Sequence, residues 1–115
     1  MGVDPERFLP LTAVVFEILL ALADGDRHGY DVMQDVERRS RGQIVLHAGT
    51  LYRALSRLLD QGLIEELDER PDLDGDERRR YYRLTPLGRA VARAEAARLA
   101  SQVDAARRVF RGGRS

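Results

Sequence analysis

The sequence predicts a mainly α-helical fold with one small β-hairpin and a long final helix. Two observations carry this prediction. Apolar residues recur at helical spacing in segments before Gly62 and again after Thr85. Between these two residues the pattern changes to two short strand-like runs that flank a polar, highly charged stretch.

Length and composition restrict the chain to one small domain. Its 115 residues are 43% hydrophobic, but a domain of this size buries a modest fraction of its surface, so we expect oligomerisation. No apolar run approaches the roughly 20 residues of a membrane-spanning helix, and the N-terminal residues do not resemble a signal peptide. We therefore expect a cytoplasmic protein that does not cross a membrane.

The charges are strongly segregated although the net charge is zero. Residues 38–59 contain five arginines and no acid, residues 60–77 contain nine acids and one arginine, and residues 78–115 contain eleven arginines and two acids. All 19 basic residues are arginine, a bias that a GC-rich genome also produces. The distribution predicts a basic face, and arginine suits both phosphate and guanine through its planar fork of donors.

Two helices are predicted in the first 39 residues. An apolar segment, 11–23, begins after a proline and ends at Asp24-Gly25-Asp26, which is typical helix punctuation. Because this segment is apolar on nearly all sides, we expect one face to pack in the core and another to meet a partner chain. The second helix is expected from His28 to Arg39, with Tyr30, Met33 and Val36 on one face.

The third helix is predicted from Ala48 to Gln61, after residues 44–46, which are expected to form a short strand or an extended buried link. A leucine stripe at positions 51, 55, 58 and 59 defines the buried side of this helix, and Gly62 ends it. The opposite side carries Tyr52, Arg53, Ser56 and Arg57.

A β-hairpin and a long helix follow. Strands are predicted at 63–67 and 80–84, and the charged tip between them, 68–79, makes the hairpin a wing. Thr85 and Pro86 begin the last helix, which should continue to about residue 110 and carry an apolar seam that needs a partner surface. We expect residues 1–85 to form the main domain, residues 86–111 the dimerisation helix and residues 112–115 a disordered tail. The predicted dimer-interface residues are Phe16, Leu99, Val103, Ala106 and Phe110.

This order of elements predicts a winged helix-turn-helix domain. The major groove of B-DNA admits one helix, so the third helix is the expected reading helix, and Arg53 and Arg57 are the best candidates for guanine contacts. Tyr30 and Arg41 are expected to position the protein on the backbone, and the arginines of the wing to bind flanking phosphates. The predicted DNA-contacting residues are Tyr30, Arg41, Thr50, Tyr52, Arg53, Ser56, Arg57, Arg78, Arg79 and Arg80.

Several motifs in this order resemble the PadR family of transcriptional regulators, in its short form. They are Leu11-Thr12 through Leu22, His28-Gly29-Tyr30-Asp31-Val32, Gly49-Thr50-Leu51-Tyr52-Arg53-Ala54-Leu55, Gln61-Gly62-Leu63-Ile64 and Arg79-Arg80-Tyr81-Tyr82-Arg83-Leu84-Thr85-Pro86-Leu87-Gly88. The resemblance covers about residues 8–110. It implies a homodimer whose last helix crosses to the other subunit, repression of a nearby operon, and release from DNA by a small, frequently aromatic, effector.

The sequence departs from the family pattern in two places. His47 and Ala48 stand where members commonly have a polar cap and a proline, so the third helix is expected to start slightly differently, with the imidazole still able to cap it. Tryptophan is absent, so no pocket can hold a flat ring between indoles. The remaining aromatic candidates for such a groove, Phe8, Phe16 and Phe110, are expected to lie in the core.

Other classes of function fit less well. Two histidines and no cysteine supply neither a familiar metal site nor a catalytic set, so we predict that the protein is not an enzyme and has no cofactor. The segment from Asp72 to Asp76 imitates a calcium loop, but Glu77 stands where that loop requires glycine. A winged-helix module that binds another protein and no DNA remains the alternative, because the same fold serves both uses.

Overall fold

The computed structural model describes residues 2–67 and 80–112. The predicted wing tip and the last three residues of the predicted tail lie outside these ranges. A 3₁₀ turn, Pro5–Phe8, precedes four helices and three strands. They are α1 (Ala13–Ala23), β1 (Arg27–His28), α2 (Gly29–Arg39), α3 (Ala48–Asp60), β2 (Ile64–Leu67), β3 (Tyr81–Leu84) and α4 (Pro86–Gly112).

The first three helices enclose the core. Helix α1 begins after Thr12, whose hydroxyl accepts a hydrogen bond from the Val15 N–H at 3.1 Å. Its residues Ile18, Leu19 and Leu22 are buried in one apolar cluster with residues of α2, α3, the strands and the start of α4. The mainly helical fold is therefore as predicted.

Helix α2 buries a different face from the one that we predicted. Val32 and Val36 are completely buried, four residues apart, whereas Tyr30 is 58% exposed and Met33 is half-buried. The three-residue spacing of Tyr30, Met33 and Val36 drifts around a helix of 3.6 residues per turn, so Val36 is buried in the core, Met33 packs against its edge and Tyr30 faces solvent.

The sheet has three strands rather than the two of the predicted hairpin. Its order is β1-β3-β2, and both pairings are antiparallel. Residues 27 and 28 pair with Tyr82 and Tyr81 of β3, which makes β3 the central strand. Tyr82 is 2% exposed, and this burial raises the pKa of its phenol above the ordinary value.

The link between α2 and α3 is extended and forms no strand. Leu46 is buried, Ile44 is half-buried and Val45 is 54% exposed. Of the two predicted alternatives, a short strand or an extended buried link, the second therefore holds for part of the segment. The link starts at Arg41 and Gly42, both of which have positive φ, at 57° and 80°.

A dense joint connects the end of α3 to the start of α4. Gly62 adopts a φ of 78°, and the Leu63 N–H donates back to the Leu58 carbonyl at 3.0 Å, which closes α3. Thr85 donates from its N–H to the Leu63 carbonyl at 3.1 Å and from its hydroxyl to the Gly62 carbonyl at 2.7 Å. A Cβ at Gly88 would overlap the Leu63 carbonyl oxygen, so only glycine permits this approach.

Helix α4 leaves the core halfway along its length. Its buried residues end at Glu95, and every residue from 100 to 112 is exposed. The helix includes Gly112, which we had placed at the start of the tail. This projecting half explains the elongated shape of the chain, 62 × 39 × 21 Å.

Candidate nucleic-acid interface

Helix α3 presents one polar face to solvent. Leu51, Leu55 and Leu58 bury its other side almost completely. The exposed residues on α3 include five of the predicted DNA contacts, namely Thr50, Tyr52, Arg53, Ser56 and Arg57. Asp60, which the sequence analysis did not consider, is exposed at the C-terminal end of the helix.

The N-terminal end of α3 differs from the expectation for His47. This residue is the N-cap, with extended backbone angles, but its imidazole forms no capping hydrogen bond. The first N–H groups of α3 therefore receive no acceptor from that side chain.

Arg53 and Arg57 have no acidic partner within residues 2–67 and 80–112. Several other arginines do: Arg39 pairs with Asp35 at 2.6 Å, Arg83 with Asp26 at 2.9 Å and Arg98 with Glu95 at 2.7 Å. Asp26 raises the pKa of Arg83 by hydrogen bonding to it, as Glu95 does for Arg98. The two arginines of α3 thus retain positive charge that no described carboxylate neutralises.

Tyr52 connects α3 to the start of α2. Its ring lies over Gly29, where a Cβ would overlap the phenolic oxygen. The side chain is still 47% exposed, so it can touch a ligand in front of both helices while it fixes their contact.

The start of α2 is held by His28. Its Nδ1 accepts a hydrogen bond from the Asp31 N–H at 3.3 Å, and its ring makes an edge contact with Tyr81 of β3 at 5.3 Å between centroids. The ring of Tyr30 stacks on it at 6.5 Å, and the Tyr30 hydroxyl accepts from the Gln34 amide at 3.3 Å. Tyr30 is thereby held at the surface, next in sequence to Gly29, against which the Tyr52 ring lies.

The four other arginines predicted to contact DNA differ in their surroundings. Arg41 is exposed in the turn after α2. Arg80 is described and exposed, but it pairs with Glu66 of β2 at 3.5 Å, so part of its charge is compensated. Arg78 and Arg79 lie outside the described residues.

The predicted dimer residues occupy two surfaces. Phe16 is half-buried on α1 and Leu99 is half-buried on α4, whereas Val103, Ala106 and Phe110 are exposed along the projecting half of α4. Phe110 is 77% exposed, so the expectation that it lies in the core is wrong for the single chain. Phe8 does pack against the core.

Sequence reasoning missed the buried acids. Glu95 is 2% exposed; it accepts from the Leu11 N–H at 3.3 Å and from both Nε and Nη2 of Arg98. Asp35 is equally buried and binds Arg38 and Arg39. Acid–arginine spacings of three and four residues could have indicated the pairs, but not their burial.

Two negative findings concern the described part of the chain. No group of three metal-binding side chains is found in it. None of its helices combines the length and apolarity needed to cross a membrane.

The fold and this face can be compared with known proteins. A model described as the transcriptional regulator PadR-like family matches residues 18–94. A protein X of Lysinibacillus sphaericus is 33% identical over 73 residues. The chain spans 65% of that relative and 24% of a 37.1 kDa protein of a Streptomyces fradiae transposon, so the match covers only part of each.

Solved structures agree with the family match. A PadR family transcription regulator of Clostridium difficile superimposes with a TM-score of 0.71 at 26% identity, over 88% of this chain and 100% of the other. Bacillus subtilis PadR, solved in complex with operator DNA, has a TM-score of 0.62 at 21% identity over 72% of this chain and 46% of its own. The chain has their winged-helix fold and belongs to the PadR-like family of transcriptional regulators, which is not a family of enzymes.

Proposed function

We propose that the protein binds double-stranded DNA sequence-specifically as a homodimer and represses transcription from the bound site. The observation that carries this proposal is the positive charge of Arg53 and Arg57, which pair with no acid of residues 2–67 and 80–112, on an exposed helix face backed by buried leucines. Such a helix fits the major groove, where an arginine can donate two hydrogen bonds to one guanine.

The surrounding residues support the same mode of binding. Tyr30, Tyr52 and Arg41 are exposed near α3 or at the start of the link that leads to it, where they can contact the sugar-phosphate backbone. Thr50 and Ser56 supply hydroxyls on the reading helix. Arg78 and Arg79, with Arg80, remain our prediction for the wing. The operator complex of the B. subtilis protein of the same fold is consistent with this proposal.

A homodimer is supported by the projecting half of α4. Val103, Val109 and Phe110 expose 47%, 65% and 77% of their surfaces, and a helix without packing partners is marginal in water. Phe16, which lies outside the core cluster, offers a second apolar surface on α1. One carboxylate oxygen of Glu17, also on α1, is buried without a described hydrogen-bond partner, as expected for a surface completed by another copy.

Repression is the outcome that occupancy of DNA produces without further contacts. A chromosomal target implies action in the cytoplasm. Release by a small effector, which the family resemblance implies, is part of the proposal. The alternative to DNA binding is a winged-helix module that binds a protein partner through α3.

The test is a mobility-shift titration against the promoter of the protein's own operon at two salt concentrations. Arg57→Ala should weaken specific binding by about 1–3 kcal/mol if the side chain reads a base. The matched control is Arg93→Ala, which removes an exposed arginine of α4. An equal loss on random DNA would limit Arg57 to phosphate contacts, and no binding to any DNA at low salt would favour the protein-binding module.

A further inference from the structure

We infer that a groove beside the reading helix binds small carboxylates with an aliphatic body. The groove has a volume of about 480 Å³ and lies between α3 and the segment that leads into α1. Its size is within the range of small-molecule sites, roughly 300–1,000 Å³.

The lining of the groove is mostly aliphatic. Leu58 and Leu63 are buried lining residues, and Val14, Val15 and Ala54 are half-buried ones. All five belong to the core or pack against it, so this surface is held in place without a ligand. An apolar body placed here would be removed from water on a preformed surface, which is the main favourable term for such a ligand.

The polar part of the lining is cationic. Arg53 and Arg57 line the groove, and neither pairs with an acid in the described chain. No acidic side chain lines the groove within the part of the chain that the structure describes. Thr12, the N-cap of α1, also lines it, and the first turn of that helix carries no acid. A carboxylate is complementary to this charge, because guanidinium binds it through two parallel hydrogen bonds.

The lining also selects the shape of the ligand. Phe8 is the one aromatic residue among the described lining residues, so these residues cannot hold a flat ring between two aromatic side chains. A flexible aliphatic chain follows the valines and leucines of the groove, with its carboxylate against the arginines. A medium-chain carboxylate such as octanoate meets both conditions.

A second copy of the chain is a poorer occupant of this groove. The exposed apolar residues near the end of α4, Val109 and Phe110, stand next to Arg107, Arg108 and Arg111, whereas Val103, further back on the helix, stands next to Asp104. Insertion of this segment would bring three more positive charges toward Arg53 and Arg57, which is unfavourable.

Occupancy of the groove has a consequence for DNA binding that rests on the proposed function. The arginines that would bind the carboxylate are those proposed to contact bases. A bound carboxylate would therefore neutralise part of the reading helix, and ligand and DNA would compete directly.

The first experiment uses the full chain without DNA. Protein with ¹³C-labelled valine and leucine methyl groups is titrated with sodium octanoate and, separately, with neutral 1-octanol. We expect saturable shifts of the Val14, Val15 and Leu58 methyls with octanoate. Replacement of both Arg53 and Arg57 by glutamine should weaken octanoate binding about tenfold and leave the octanol response unchanged. The charge-matched control is the replacement of Arg89 and Arg93, two exposed arginines of α4, by glutamine.

A second variant tests the apolar part of the site. Ala54→Leu fills the groove from α3 with a good helix former, and it should abolish the octanoate shifts while the fold is kept. The inference is overturned if octanoate causes no saturable shift, if the double arginine variant binds it equally well, or if the groove methyls respond only to protein concentration, which would identify a second copy as the occupant.

A third experiment, in which DNA is present, distinguishes the carboxylate site from the proposed DNA-binding function. Octanoate should weaken the mobility shift of the wild-type protein and not that of Ala54→Leu. If octanoate binds and the protein also shifts the DNA, but octanoate does not weaken that mobility shift, the proposed competition between ligand and DNA is wrong. Octanoate binding by a protein that binds no DNA would overturn the proposed function and leave the carboxylate site standing.

Discussion

Buried acid–arginine pairs connect parts of the chain that are distant in sequence. Glu95 of α4 holds the backbone of Leu11, 84 residues away, and Arg98 occupies its two carboxylate oxygens. The hydrogen bonds from Arg98 lower the pKa of Glu95 below its ordinary value near 4.5, against the opposing effect of burial. Asp35 makes the equivalent connection for α2, since its partner Arg39 also binds Asp24 at the end of α1.

Glu95→Gln should destabilise the chain by about 1 kcal/mol at neutral pH, because it removes charge-assisted hydrogen bonds to a partner that is partly exposed. The pKa is lowered on folding, so the ionised carboxyl stabilises the fold above its ordinary pKa, and the contribution disappears as the pH falls through the folded value. Denaturant unfolding should therefore show the largest difference from wild type at pH 7, and the difference should shrink as the pH is lowered below the ordinary pKa of the carboxyl. Glu37→Gln, at an exposed position that forms no ion pair with the described residues, should show no difference at pH 7 or below.

Gly88→Ala should destabilise the chain by about 1–3 kcal/mol, because the new methyl group meets the Leu63 carbonyl oxygen, which the hairpin holds in place. Thermal unfolding measures this loss. Gly49→Ala is the matched control: its methyl group would meet only the Arg53 guanidinium at 3.8 Å, and it should stabilise α3 slightly. Equal stability of the two variants would contradict the described joint.

At the scale of elements, the helices were predictable from the sequence, whereas β1, the additional strand of the sheet, was not. The leucine stripe of α3 and the Thr85-Pro86 start of α4 placed those helices within two residues of their described ends. Strand β1 has two residues, and no periodicity can be recognised in so short a segment. It forms because it pairs with the edge of β3, a strand that is distant in sequence, so its cause lies in the tertiary structure.

The same limit applies to single faces and sites. Exposure of Tyr52 and Arg57 followed from helical geometry, whereas the contact of Tyr52 with Gly29 depends on the angle between two helices. The groove beside α3 is likewise formed by segments about 40 residues apart in sequence, and spacing alone could not reveal it.

Helix α4 is the element whose stability depends most on a partner. Val103→Asp should dissociate the proposed dimer, because it places a charge in the apolar seam, and sedimentation should then give the mass of one chain. It should also reduce helix content, since residues 100–112 would lose their packing. Ser101→Asp, on the opposite side of α4, should leave the dimer intact; an intact Val103→Asp dimer would remove this seam from the interface.

The whole molecule is elongated because α4 projects from a compact winged-helix body. Two such bodies joined through α4 would present two reading helices, which reach successive major grooves if they lie about 34 Å apart. The dimer would then require two half-sites on the same side of the duplex.

Insertion of about five base pairs between the half-sites should therefore abolish high-affinity binding, because it rotates one half-site to the far side of the DNA. A mobility shift with the natural and the lengthened site measures this effect. Insertion of about ten base pairs is the control for distance without rotation. Undiminished binding to the five-pair insertion would mean that each chain binds alone.

The joint at Thr85 has a consequence for regulation. Its two hydrogen bonds and the close approach of Gly88 to the Leu63 carbonyl tie the start of α4 to the segment that ends α3. In the proposed dimer, a change in the crossing angle of the two α4 helices would therefore change the distance and the angle between the two α3 helices. A molecule that binds between the two α4 helices of the proposed dimer would thus alter the spacing of the α3 helices, and with it the affinity for DNA, without contacting α3.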